Sequence, residues 1–154
     1  MDGLIKSLED VNKKLPVLPA KAVDVLVMIL PWIALIFGIL GVLSAVAGLS
    51  AFVGLSFIAL PMMGAYGAAV GPLAMLSLAL LAVSSILELM AFSGLKKEKV
   101  VGWKWYFYSM LVGVVGTIVG IVMSVSVGGF PLWGIIWTLV SFYLLFQIKP
   151  RYKV

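Results

Sequence analysis

Residues 25–87 read VLVMILPWIALIFGILGVLSAVAGLSAFVGLSFIALPMMGAYGAAVGPLAMLSLALLAVSSIL, and no Asp, Glu, Lys or Arg interrupts them before Glu88. A soluble domain of 154 residues has no interior deep enough to hide 63 consecutive uncharged positions. A spanning helix needs only about 20 apolar residues, so the run is bilayer-sized more than twice over. The chain reads as an integral membrane protein.

Composition agrees. Apolar residues make up 64% of the chain and charged residues 11%, with a mean hydropathy of +1.23, values of the membrane class rather than of any globular one. The longest polar piece, residues 1–21, is too short to bury a core of its own, so one membrane domain is expected over residues 1–154. The eleven basic residues outnumber six acidic ones, but they stand in three short clusters beside hydrophobic segments. That is the pattern of orientation determinants and of contacts with anionic headgroups, not of a nucleic-acid footprint. The chain contains no Cys and no His. Disulfides, thiolate chemistry, zinc and haem ligation and His-based proton transfer are thereby removed, and neither a cofactor nor a metal is expected.

Outward from the long run, the N-terminus has an amphipathic rhythm. Leu4, Leu8, Val11 and Leu15 recur at helical spacing with Ile5 beside them, while Asp2, Lys6, Glu9, Asn12 and Lys13 take the opposite side. Such a helix is expected to lie in the headgroup layer. Pro16 and Pro19 end it, which makes residues 1–19 an interfacial helix and proline linker. Ala45-Val46-Ala47 matches a small-residue cleavage pattern, but the apolar run before it exceeds the usual h-region of about 7–15 residues, so the segment is expected to be retained.

The first span is predicted over 22–48, with Pro31 inside it and Gly38, Gly41 and Gly48 forming a small-residue ridge for a close neighbour. Asp24 sits in its first turn, where the helix dipole and Lys21 favour an anion. Residues 49–71 are apolar but carry Gly54, Gly64, Gly67, Gly71 and Pro61, poor material for a continuous helix. They are expected to form an external loop or a re-entrant element. The second span covers 72–95 and opens at Pro72. A cytoplasmic loop at 96–102 leads to a third span at 103–127, where Gly113, Gly116 and Gly120 make a second ridge. Gly128-Gly129 reads as a tight turn, 131–148 as the fourth span, and 149–154 as a cytoplasmic tail. Trp103, Trp105, Trp133 and Trp137 are expected at the membrane interfaces, and Trp32 within the packed bundle.

Charge parity orients the chain. Lys6, Lys13, Lys14 and Lys21 form one basic cluster, Lys96, Lys97, Lys99 and Lys104 a second, and Lys149, Arg151 and Lys153 a third; residues 44–71 and 126–130 carry no charge. Basic residues collect in the cytoplasm, so each hydrophobic block must cross an even number of times. The expected fold is all-α, with four transmembrane helices in two in–out–in hairpins. Both termini lie inside, and the cytoplasmic membrane is the expected location.

Glu88 is the acidic residue well inside a span, ~10 Å from its Leu95 end. A carboxylate there must pair, accept hydrogen bonds or protonate, and is a functional candidate by default. Ser84 and Ser85 lie one turn earlier on the same side. A simple hairpin at 96–102 would bring Tyr108 and Ser109 opposite, with Gln147 nearby, as a proton or cation site. The alternative is a structural acceptor that holds the spans together or snorkels to the interface. An enzyme is not expected: paired carboxylates, a Ser with a base, metal ligands and a phosphate loop are all missing.

The segments Leu30-Pro31-Trp32-Ile33-Ala34-Leu35-Ile36-Phe37-Gly38, Ser84-Ser85-Ile86-Leu87-Glu88-Leu89 and Leu144-Leu145-Phe146-Gln147-Ile148-Lys149 resemble a group of small four-helix membrane proteins of bacteria with reduced genomes. The resemblance spans nearly the whole chain and implies a fold and a location, with no activity attached. The small multidrug-resistance exporters are similar in having four spans and one key Glu, but theirs lies in the first helix of a shorter chain; here Glu88 is in the second, so the likeness is one of analogy. Two functions follow as expectations. One is a non-enzymatic assembly or scaffold element that self-associates through its glycine faces; the other is a small proton- or cation-coupled transporter or channel using Glu88.

Overall fold

The computed structural model describes residues 2–125 and 132–153. In chain order its helices are α1 (Asp2–Asn12), α2 (Ala20–Ser56), α3 (Ala59–Met62), α4 (Gly64–Lys96), α5 (Val100–Val125) and α6 (Leu132–Ile148), and Lys149–Arg151 adds one 3₁₀ turn. Four of them, α2, α4, α5 and α6, are long and apolar enough to cross a membrane. Among the described residues there is no strand, only an isolated parallel bridge between Lys99 and Lys153. The Gly128-Gly129 turn and the helix start at Pro131 lie outside the described residues.

The inward stripe of α2 is written in its sequence. Val27, Pro31, Ala34, Gly38, Gly41, Ala45 and Gly48 follow a strict alternation of four and three, and Val27, Pro31, Ala34, Gly38 and Ala45 are buried. This heptad period keeps one narrow seam on a neighbouring helix. The neighbour is α4, running antiparallel: a Cβ added at Gly38 would come within 2.8 Å of the Leu89 side chain, and one at Gly48 within 2.5 Å of Leu78. The closest approach lies between α4 and α5, where a Cβ on Gly94 would stand 2.5 Å from the Gly102 Cα. Only glycine at both positions lets the two backbones meet there. Further along the same pair, the Ser77 hydroxyl reaches the Met123 sulfur at 3.8 Å. α6 returns antiparallel along α5, with Phe107 against Phe142 and Trp103 against Phe146.

Several helix limits differ from those read in the sequence. Residues 49–71 are largely helical, with only residues 57–58 and 63 outside helices. Pro72 therefore lies inside α4 instead of opening it, and the chain turns at Gly64, whose φ is +55°. The reason is the solvent: without water to bond to, apolar backbone keeps its helical hydrogen bonds through glycines and prolines that would end a helix in a soluble protein. The connector expected over 96–102 shortens likewise to residues 97–99, because α5 begins at Val100.

The tightly packed core sits at one end of the bundle. There α1, the start of α2, the end of α4, the start of α5 and the end of α6 converge on Leu95, Trp103, Phe107, Leu145 and Ile148, each no more than 2% exposed. Trp103 stacks on Phe107 with centroids 5.4 Å apart and donates its indole N–H to the Leu145 carbonyl at 3.0 Å. It is thus a core residue and not an interface anchor, because α1 and the tail cover the position that the sequence places beside Lys104. Trp133 and Trp137 are largely exposed on α6, and Trp32 is half exposed, edge-on to Phe92, instead of packed within the bundle.

Candidate functional site

Glu88 lies half-buried on α4, on the turn between Ser85 and Ala91, both of which are buried. Neither neighbouring serine is available to it: Ser84 and Ser85 both donate to the Leu81 carbonyl, at 3.0 and 2.7 Å. These are the local bonds a helical serine makes with its own preceding turn. Ser85 also faces Gly41, where an added Cβ would collide with its hydroxyl. The Tyr108 ring packs on Trp105 and Phe107, at 6.1 and 6.0 Å, and the Ser109 hydroxyl donates to the Tyr106 carbonyl. Among the described residues no hydrogen bond or ion pair engages the Glu88 carboxylate.

Gln147 belongs to a different construction. Its amide donates to Asn12 Oδ1 at 3.0 Å and to the Pro16 carbonyl at 3.3 Å, while its carbonyl oxygen accepts from the Leu18 N–H. The Tyr143 hydroxyl donates to the same Pro16 carbonyl at 2.6 Å, and the Asn12 amide donates to the Tyr143 carbonyl. The last turns of α6 therefore clamp the segment that joins α1 to α2. Pro16 and Pro19 leave this stretch without helical partners, and its exposed carbonyls are what Gln147 and Tyr143 bind.

The two glycine ridges are also unlike. Gly38, Gly41 and Gly48 are filled by α4 within the chain, whereas a Cβ added at Gly113, Gly116 or Gly120 meets nothing within 4 Å. Gly113 and Gly116 wall an open groove of about 320 Å³ between α4 and α5, with Ser77, Ser84 and Thr117 along it.

All three basic clusters of the sequence contribute to one end of the bundle. The Val100 N–H donates to the Lys153 carbonyl and the Lys153 N–H to the Glu98 carbonyl, each at 3.0 Å. Arg151 pairs with Asp24, and Lys149 with Glu9 at 2.5 Å. Lys149 also stands over the Trp103 ring at 5.5 Å, and Lys96 over Trp32 at 5.2 Å. Asp24, expected beside Lys21, thus finds its partner in the C-terminal tail. Two clefts open here. One, of about 400 Å³, lies between α2 and the end of α4, where Asp24, Lys96, Glu98 and Arg151 surround Trp32. The other, of about 410 Å³, lies between α1 and the start of α5, with Lys6, Lys13, Lys104 and Lys149 around one acid, Glu9. Tyr152 closes its wall, 5% exposed, and among the described residues its hydroxyl has no hydrogen-bond partner. Burial, and secondarily the Glu98 charge, push that hydroxyl up to about 12, so it stays a neutral donor through the physiological range. Nothing local in the sequence marks Tyr152 or these ion pairs, which join residues more than a hundred positions apart.

No protein-family model matches the chain, nor does any curated protein or solved structure.

Proposed function

We propose that this chain is a non-enzymatic assembly element of the cytoplasmic membrane that self-associates through α5. The observation that carries the reading is the open Gly113–Gly116–Gly120 face, set against a Gly38–Gly41–Gly48 face already filled by α4. Lipid offers helices little hydrophobic drive to associate, so small residues that let backbones approach are where a further helix docks. A second copy meeting the same face in two-fold fashion would close the contact. Termini and basic clusters are cytoplasmic in this reading, the spans form two in–out–in hairpins, and α1 lies in the headgroup layer. The gathering of the basic residues at one end supports that orientation. So does α1, which buries Ile5 against the core and leaves Leu4 and Val11 exposed. Photobleaching steps of the labelled protein in lipid bilayers test self-association. Gly116→Leu together with Gly120→Leu should convert multi-step traces to single steps, and unchanged traces would remove the reading.

A second reading, a small proton- or cation-coupled transporter, draws on Glu88 alone. An intramembrane carboxylate with no bonded partner among the described residues is costly to keep, and such groups mark ion or proton paths. Proteoliposomes under an imposed pH gradient separate the two. Gradient collapse that disappears in Glu88→Gln with oligomer mass unchanged supports transport, and tight vesicles for both proteins with every cation and amine tried exclude it.

A further inference from the structure

We propose that the cleft between α2, the end of α4 and the C-terminal tail binds the headgroup of an aminophospholipid, a phosphodiester joined to a primary ammonium. Asp24 and Glu98 share about 400 Å³ there with Lys96 and Arg151, so the charges sum to zero and suit a zwitterion better than an anion. Asp24 and Arg151 already pair with each other. One charge of each sign remains. Lys96 stands over the rings of Trp32 and Phe92, at 5.2 and 5.8 Å, and among the described residues no carboxylate pairs with it. Glu98 is exposed, and its carboxylate has no hydrogen bond or ion pair among the described residues. A phosphate would take Lys96 and the N–H groups of Arg151 that Asp24 leaves free, while the ammonium of the same headgroup donates to Glu98. The turn itself does not account for this carboxylate. The Lys99 N–H donates to the Gly94 carbonyl at 2.9 Å and the Glu98 N–H to the Leu95 carbonyl at 3.0 Å, which is a Schellman ending for α4. Glu98 has φ +49° within it, the left-handed position that glycine ordinarily fills.

The surroundings select a lipid rather than a soluble zwitterion. The cleft lies at the end where the charged residues gather, which is headgroup depth for a bundle whose apolar helices fill the hydrocarbon. Met28 and Trp32 line it, and from them an exposed apolar stripe continues along α2 through Ile36, Ile39, Leu43 and Val46. Steps of four and three residues keep these side chains on one helix face. An acyl chain lying on that face carries its headgroup directly to the cleft.

The test is native mass spectrometry of the full-length protein released from nanodiscs that mix phosphatidylethanolamine, phosphatidylcholine and phosphatidylglycerol, repeated with soluble glycerophosphoethanolamine as competitor. Phosphatidylethanolamine should be retained over both others: the choline ammonium has no N–H to donate, and the glycerol headgroup has no cation for Glu98. Glu98→Gly removes the carboxylate and gives the turn its favoured residue, so the ethanolamine-to-choline ratio should fall about tenfold while the thermal unfolding midpoint stays or rises. Glu98→Gln, which leaves the backbone as it is, should lower the ratio likewise. Lys96→Gln should weaken retention of both lipids about fivefold and leave their ratio unchanged, because the phosphate is common to them. Lys14→Gln, outside the cleft, should alter neither. Equal retention of the ethanolamine and choline lipids by the wild type would overturn the proposal, as would a wild-type ratio in both Glu98 variants. So would preference for phosphatidylglycerol, or displacement of the lipid by glycerophosphoethanolamine, which would make the cleft a site for a soluble zwitterion.

Discussion

Gly94 and Gly102 set the distance between α4 and α5, because any Cβ at either position is driven into backbone and not into a side chain that can swing away. Backbone cannot yield as a leucine tip can, so Gly94→Ala and Gly102→Ala should each destabilise the folded bundle by about 1–3 kcal/mol. Unfolding by denaturing detergent, followed by circular dichroism, reads this directly. Gly54→Ala is the matched control: it lies in α2 with open space around it, and should stabilise by about 0.5–1 kcal/mol as a helical glycine-to-alanine change does. The two outcomes differ in sign, although residue type and helical setting are the same. The sequence ranks Gly38, Gly41 and Gly48 as packing positions through their spacing, but Gly94 and Gly102 belong to no ridge and have no such signal. Tyr152 adds a pH dependence. Its folded value is raised from 10.0 to about 12, so the folded state holds the proton more tightly than the unfolded one. The stabilisation is complete below about pH 10 and is lost as pH rises through about 12. Thermal unfolding across that window should show the loss in wild type, and Tyr152→Phe should lack this component.

At the scale of elements, the joint between α1 and α6 accounts for how an eleven-residue helix stays in place, since isolated helices of that length are marginal. Gln147 makes three of the bonds that hold it and Tyr143 a further one, at 2.6 Å. Gln147→Leu removes those three at once and leaves the Pro16 carbonyl to Tyr143 alone. Each such bond contributes about 1 kcal/mol, so local opening of the arm should become roughly tenfold or more frequent. Trypsin cleavage after Lys13 and Lys14 in detergent should accelerate by that factor while the bundle resists. An unchanged rate would mean that Ile5 and the Glu9–Lys149 pair suffice. The sequence shows α1 as a helix with two faces but not which one docks: Ile5 is buried, and Leu4 and Val11 are not. Periodicity describes a face, and the partner that covers it comes from residues more than a hundred positions away. The same limit hides the role of Gln147, which reads as a companion of Glu88 when only the order of the spans is known.

The whole molecule is asymmetric along its length: ion pairs, lysines and a packed aromatic core gather at one extremity, and the other is an uncharged apolar tip. The membrane class was legible because no soluble domain of this size accommodates residues 25–87, and the count of four long helices because charge parity makes each hydrophobic block cross an even number of times. The reach of α2 and α4 was not, because Gly and Pro report helix ends in water and not in lipid. At 37 and 33 residues these helices are about 55 and 50 Å long, against a hydrocarbon core of about 30 Å. Helices of this length must tilt strongly or carry their tip past the hydrocarbon. That tip exposes Phe57 at 80%, Ile58 at 67% and Met62 at 83%, side chains that water would penalise by roughly 25 cal/mol per Å². With no charge to hold it in the aqueous phase, the tip should stay in the outer leaflet. The absence of native cysteine makes the expectation simple to measure. Single cysteines at Lys14, Lys97 and Lys153 should react with an impermeant maleimide from one and the same side of sealed vesicles, the cytoplasmic one. Phe57→Cys and Met62→Cys should react slowly from both sides and quickly once the bilayer is dissolved in detergent. Fast labelling of position 57 from the opposite side would place the tip in water, and an apolar surface of that kind in water calls for a protein partner. Labelling of Lys97→Cys and Lys153→Cys from different sides would break the single basic end, and with it the even crossing number of each half of the chain.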